Sequence, residues 1–277
     1  MTPWTDRTGR FSPLKTLVLA GTIAPALWLF WRWRSGALMP LPFDEATHFT
    51  GTWTIRFILI ALAMTPAQRI FRWNRLALVR RMLGIAAFAY AAFHFSLYVG
   101  DQKFDLFKVG SEIALRIYLT IGFLAVLGLT ALAATSTDAI VRRLGVNWKR
   151  LHRIAYVIAA LGILHFFMQS KIDVTEPTLM LGFFILLMSY RRLSPAQLAS
   201  PAWLAGVALM SAVLTAALEA CWYGLATGVP ARLVLLANLQ FPTLIRPFWI
   251  VLGTGLVVPL ASVLLGYLRG SRMAVAR

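Results

Sequence analysis

Four histidines, His48, His94, His152 and His165, are the residues of this chain best suited to chemistry, and three of them lie in apolar stretches long enough to cross a membrane. Neutral imidazole is a common axial ligand of haem iron. An ionisable group at membrane depth is costly enough to mark a function. The chemistry to expect is therefore redox chemistry inside a bilayer.

The spacing of these histidines sorts them into two levels. His165 follows His152 by 13 residues, and His94 follows Arg81 and Arg80 by 13 and 14. On parallel helices such counts are depths of about 20 Å. His94 and His165 should share one level and can offer an imidazole to each face of a b-type haem. His152 should face arginine at the other level. A spacing of 13 also misses the starting helix face by about 140°, so His152 and His165 point apart unless the helix is distorted near Gly162. The blander reading of each histidine is a hydrogen bond to a neighbouring helix. His152, in the basic stretch Trp148-Lys149-Arg150-Leu151-His152-Arg153, is equally suited to a lipid or flavin phosphate. His48, before Phe49-Thr50-Gly51, suits a quinone or propionate contact, or simply a helix start. Arg56 lies a third of the way into a span, where a haem propionate is its natural counter-ion and snorkelling the alternative.

The elements that must position these groups are membrane helices. Of the 277 residues 59% are hydrophobic and 13% charged, with a mean hydropathy of +0.73, far more apolar surface than one soluble core could bury. Eight spans are predicted, at about 14–33, 48–66, 82–99, 113–134, 151–169, 177–190, 202–226 and 247–268. Trp28, Trp31 and Trp33 close the first like an interfacial belt, so it is expected to stay as a helix. The fold class is an all-α polytopic bundle: a six-helix core over residues 1–193 and, after the break at Ser194-Pro195, a two-helix extension over 194–277.

The net charge of +17 would suggest nucleic acid in a soluble protein, but its placement reports topology. With eight spans, 18 of the 27 basic residues fall on one side, from Arg7 through the 67–81 and 135–150 loops to Arg277, while Lys171 and seven others fall opposite, with most of the acids. Both termini are then cytoplasmic and the contact is with anionic lipid, not nucleic acid. Cys221 is the only cysteine, so no CxxCH attaches haem covalently, and it is expected to be an inert small hydrophobe. Tyr90, Tyr98, Tyr118 and Tyr156 read as packing residues. No convincing internal repeat is present.

His48-Phe49-Thr50-Gly51, Thr65-Pro66, Arg80-Arg81-Met82-Leu83-Gly84 leading to His94, Thr135-Ser136-Thr137, Leu144-Gly145, and Trp148 to His152 through Tyr156 to His165 together resemble the MsrQ (YedZ) family of the ferric-reductase-like transmembrane group. The resemblance covers about residues 14–193; the C-terminal extension departs from it. It implies a bacterial inner-membrane haem b protein that also binds FMN. Such a protein passes electrons from the quinone pool or a cytosolic flavin reductase to a periplasmic molybdopterin-containing, MsrP-like reductase of methionine sulfoxide. On the family pattern His94, His152 and His165 are associated with haem, and Arg80 and Arg81 join the candidate set.

The expectation is thus an electron conduit that does not itself reduce the sulfoxide, because no thiol, carboxylate pair or nucleotide domain is available for that step. A stand-alone ferric or quinone reductase is the rival within redox chemistry. A transporter with histidines and Arg56 along a polar pathway is the rival from another class, disfavoured by the lack of paired broken helices in symmetric halves.

Overall fold

The structure, a computed structural model, describes residues 4–5, 9–170, 172–241 and 245–275, with side chains as far as residue 268. Arg7, Lys171 and Arg277, and the side chains of Arg269 and Arg272, lie outside the described residues. Everything ordered among the described residues is helical apart from one isolated bridge between Thr5 and Phe11.

The helices are α1 (Pro13–Arg34), α2 (Pro42–Phe71), α3 (Arg80–Asp101), α4 (Leu106–Leu115), α5 (Ile117–Ala134), α6 (Asp138–Leu144), α7 (Val146–Leu151), α8 (Ile154–Gln169), α9 (Thr175–Arg192), α10 (Pro195–Ala199), α11 (Pro201–Trp222), α12 (Ala231–Asn238) and α13 (Pro247–Val275). Seven helical stretches among the described residues are long and apolar enough to cross a membrane, and the protein is a multi-pass membrane protein. The expected span at 177–190 forms α9, which is outside those seven because Glu176, Arg191 and Arg192 crowd its 18 residues.

Local chemistry sets the boundaries. Prolines open α1, α10 and α11, where a missing N–H costs nothing. The Asp105 carboxylate accepts from Lys108 N at 2.9 Å to start α4, and Ser194 with Gln197 forms a capping box on α10. Within α2 the hydroxyls of Thr50 and Thr54 donate to carbonyls four residues back, at 2.8 and 2.9 Å, which satisfies them without a partner helix.

Two predicted spans come out differently. The fourth, expected from 113, is divided at Arg116, whose extended backbone (φ −110°, ψ 106°) ends α4 and begins α5. The fifth, expected from 151, is one helical stretch from Val146 to Gln169 with a turn at His152-Arg153 between α7 and α8, and Gly162 sits undisturbed and buried inside α8. Cys221 is exposed on α11.

The chain forms two compact units. The first comprises residues up to Leu62 and Ala77–Gln169, so it holds α1, most of α2, and α3 to α8. There α5 packs along α8 and against α3 and α4. Close approach is by glycine: a Cβ on Gly162 would lie 2.6 Å from Ile55 Cδ1, and one on Gly128 2.8 Å from Ile158. The second unit comprises Ala63–Leu76 and the chain from Ser170. Its frame is the mutually packed trio α9, α11 and α13, with Leu186, Tyr190, Leu204 and Ala208 buried at its centre. Gly182 faces Thr215 and Val251, and Gly255 faces Ala208, each with room for hydrogen only. This is the small-residue packing that lets membrane helices gain dispersion contact.

Candidate cofactor site

Within the first unit, α3 presents His94 and α8 presents His165 with ring centres 6.3 Å apart and ring planes at 87°. Each ring is fixed the same way. His94 Nδ1–H donates to the Thr47 carbonyl at 2.8 Å, and His165 Nδ1–H donates to the Tyr118 carbonyl at 2.8 Å. Because a carbonyl only accepts, the proton must sit on Nδ1, and Nε2 keeps its lone pair for a metal.

Each ring also lies against a glycine. A Cβ on Gly51 would meet the His94 ring at 3.0 Å, and one on Gly122 would meet the His165 ring at 2.8 Å. The carbonyl stands 47 residues before its histidine in both cases, and the glycine stands four after the carbonyl. One offset of 71 residues therefore carries Thr47 to Tyr118, Gly51 to Gly122 and His94 to His165. The site is a geometric repeat built by two helix pairs, α2 with α3 and α5 with α8, although the residue types around it do not repeat. The same offset carries Arg81 to His152.

Between the rings opens a cavity of about 400 Å³, within the range of small-molecule sites. Ile55, Ile58, Leu129 and Ile158 make it apolar at depth, while Asp44, His48, Asp101, Arg116 and Tyr118 line it too. Two metal–nitrogen bonds of about 2 Å in line, plus about 1.1 Å from each nitrogen to its ring centre, give about 6.2 Å between ring centres, close to the 6.3 Å seen here. Among the described residues no group of three or more His, Cys, Asp or Glu converges. Two imidazoles alone do not complete a metal's coordination, and a tetrapyrrole's four nitrogens would supply the rest. The residues present thus fit a haem, which His94 and His165 would hold.

The other candidates are distributed around this centre. His48 lines the cavity, exposed, 3.7 Å from the Asp44 carboxylate. His152 is separate: Nδ1 bonds the Trp148 carbonyl at 3.1 Å, Nε2 faces Ser136 Oγ at 3.4 Å, and the Trp148 indole stacks on the ring at 3.8 Å. Arg81 joins the same cluster, bonding the Ser136 carbonyl at 3.2 Å and pairing with Asp138, and Arg80 is within electrostatic reach of His152. Arg56 is not among the cavity-lining residues; its guanidinium lies 5.1 Å from the centre of the Trp53 ring.

Several contributors were not legible as such. Gly51 and Gly122 each precede a histidine by 43 residues, a spacing that would have marked them. Tyr98 and Tyr118, read as packing, line the cavity, and so does Arg116, counted only among the basic residues of the less basic side. The Tyr118 hydroxyl first, and then Glu112, hold the Arg116 guanidinium above its ordinary pKa, so it is a fixed cation.

Comparison with known proteins gives a consistent result. The family described as ferric reductase like transmembrane component matches residues 50–163, a stretch with His94 and His152 that stops two residues before His165. The chain is similar to three proteins named protein-methionine-sulfoxide reductase heme-binding subunit MsrQ. It is 40% identical to that of Caulobacter vibrioides over 177 residues, covering 63% of this chain and 84% of the relative. It is 42% identical to that of Xanthomonas oryzae pv. oryzae over 184 residues, 64% and 84% of the two chains. With that of Rhodospirillum rubrum the figures are 39% over 188 residues, 67% and 88%. No solved structure matches the chain.

Proposed function

Because the chain belongs to the MsrQ family, within the ferric-reductase-like transmembrane group, we propose that it is a membrane electron-transfer subunit with one haem b between His94 and His165. The observation that carries this reading is the pair of imidazoles, each with Nδ1 pinned to a backbone carbonyl, with ring centres 6.3 Å apart across the cavity. The haem, when bound, supplies a one-electron redox couple. The chain's part is to hold both Nε2 atoms ready, so that little reorganisation accompanies electron transfer, and to surround the group with apolar walls.

The charge asymmetry supports an orientation in the bacterial inner membrane with both termini cytoplasmic. In that orientation α9 crosses as well, since 18 helical residues span about 27 Å of a hydrocarbon core of about 30 Å. His94 and His165 then lie toward the periplasm, and Arg80, Arg81 and His152 toward the cytoplasm. Electrons enter from quinol or a cytosolic flavin reductase on the basic side and leave to a periplasmic molybdopterin-dependent methionine sulfoxide reductase. For FMN, the phosphate-binding candidates are Arg80 and Arg81 beside His152. The matches to relatives span 63 to 67% of the chain, which supports assigning residues 194–277 to a membrane extension outside the redox core.

A reduced-minus-oxidised absorption spectrum of the purified full-length protein tests the reading. Haem b bands are expected in the wild type and lost in His94→Ala and in His165→Ala. A spectrum without haem bands in protein made with ample haem would overturn it.

A further inference from the structure

We propose that Arg116 is the carboxylate anchor of the histidine cavity: its guanidinium pairs with the acidic side chains of the bound tetrapyrrole and so decides which edge of the macrocycle faces the cavity mouth. This rests on the haem reading above.

Arg116 is the only arginine or lysine among the described residues that line the cavity; the other fixed charges there are the carboxylates of Asp44 and Asp101. A dicarboxylate macrocycle cannot leave its acids against Ile55, Ile58, Leu129 and Ile158, because a bare carboxylate in an apolar wall pays the full cost of lost hydration. Its carboxylates must emerge where water and a cation are available. Asp44 and Asp101 repel them, and Arg116 attracts them.

The backbone and the hydrogen bonds prepare Arg116 for this role. The break between α4 and α5 falls on it. Glu112 pairs with its Nε and, at 3.1 Å, with Nη2, while the Tyr118 hydroxyl lies 3.1 Å from Nη1. A guanidinium carries five N–H donors, so one hydrogen on each terminal nitrogen remains for a carboxylate. Glu112 need not leave; it acts as a positioning residue. Tyr118 ties the anchor to the axial ligand, since its carbonyl also accepts from His165 Nδ1. Arg56, the arginine that sequence alone would favour, is turned to Trp53 and does not line the cavity.

The test uses the full chain produced without haem and titrated with protohaem or with protohaem dimethyl ester, which binds iron identically but has no free carboxylates. Wild type should prefer protohaem by about tenfold or more, the scale of a charge-assisted hydrogen bond. Arg116→Gln should bind the diester as wild type does and lose the preference, Arg116→Lys should keep part of it, and Arg56→Gln should keep all of it. Retained diester binding shows that the Arg116→Gln protein is folded. An undiminished preference in Arg116→Gln, or its loss in Arg56→Gln, overturns the assignment while leaving the haem site intact. Failure of wild type to bind either compound refutes the haem reading itself.

Discussion

Replacing Gly122 by alanine should disable the His165 side of the site with a single methyl group. The added Cβ would sit 2.8 Å from both Cε1 and Nδ1 of His165, and 3.1 Å from Cγ, roughly 0.6 Å inside ordinary carbon contact. The ring cannot retreat freely, because Nδ1 is held at 2.8 Å by the Tyr118 carbonyl on the same helix as Gly122. Either that hydrogen bond or the aim of Nε2 must yield, and metal–ligand bonds tolerate only about 0.2 Å. Overpacking of this kind costs about 1 to 3 kcal/mol, or about 5- to 150-fold in haem affinity. Gly51→Ala should be milder, because its Cβ would stand 3.0 Å from the His94 ring. Gly206→Ala, with no heavy atom within 4 Å of the new Cβ, should change nothing. The assay is the iron-to-protein ratio and Soret spectrum of the purified variants, with a haem titration of the haem-free chain. If Gly122→Ala bound haem with wild-type affinity and spectrum, the cradle argument would be wrong, and with it the claim that the ring position is set by helix contact.

His152→Ala should retain the haem spectrum and an iron-to-protein ratio of wild type, because that ring is committed to Trp148 and Ser136; loss of half the iron would instead place a second haem at that end. Gly182→Val should overpack Thr215 and Val251 by about 1 to 3 kcal/mol, lowering the thermal unfolding midpoint while leaving haem content per folded protein unchanged. In the same unit the fully buried Glu219 pairs with Arg246 at 3.1 Å and accepts from Asn238 at 2.8 Å. Arg246→Gln should cost about 3 to 5 kcal/mol, and Glu219→Gln added to it should recover much of that loss, as chemical denaturation would reveal. Asp173, between α8 and α9, has its pKa lowered by Thr175. Its contribution to stability is therefore present at neutral pH and declines as pH falls through its depressed value, and Asp173→Asn should flatten that acid limb in a pH series of melting temperatures.

What could be read from the residues follows from physics that acts along one helix. Apolar length fixes which segments cross a bilayer, a rise of 1.5 Å per residue fixes depth, and so His94 and His165 could be set at one level, and His152 at another, without coordinates. The same reasoning stopped where a second helix supplies the deciding contact. From depth alone it offered Arg56 either a haem propionate or snorkelling, but which face of a helix meets a cavity depends on packing, and the arginine that lines the cavity is Arg116, at a break that apolar counting joined into one span. It allowed His152 and His165 a common face only if the helix were distorted near Gly162; glycine there serves close approach to Ile55, and the turn falls at His152-Arg153.

By itself the sequence determined a helical membrane protein, its charge asymmetry, its family and the two imidazoles, because composition and spacing are properties of the chain before it folds. Only the tertiary structure decided how those imidazoles are held. Thr47 and Tyr118 act through carbonyl oxygens that every residue carries, Gly51 and Gly122 act by having no side chain, and α9 joins α11 and α13 through gaps only hydrogen can fill. Apart from the shared spacing of Gly51 and Gly122 from their histidines, none of these has a signature in the sequence, since each works by where the backbone of one helix comes to lie against the side chains of another.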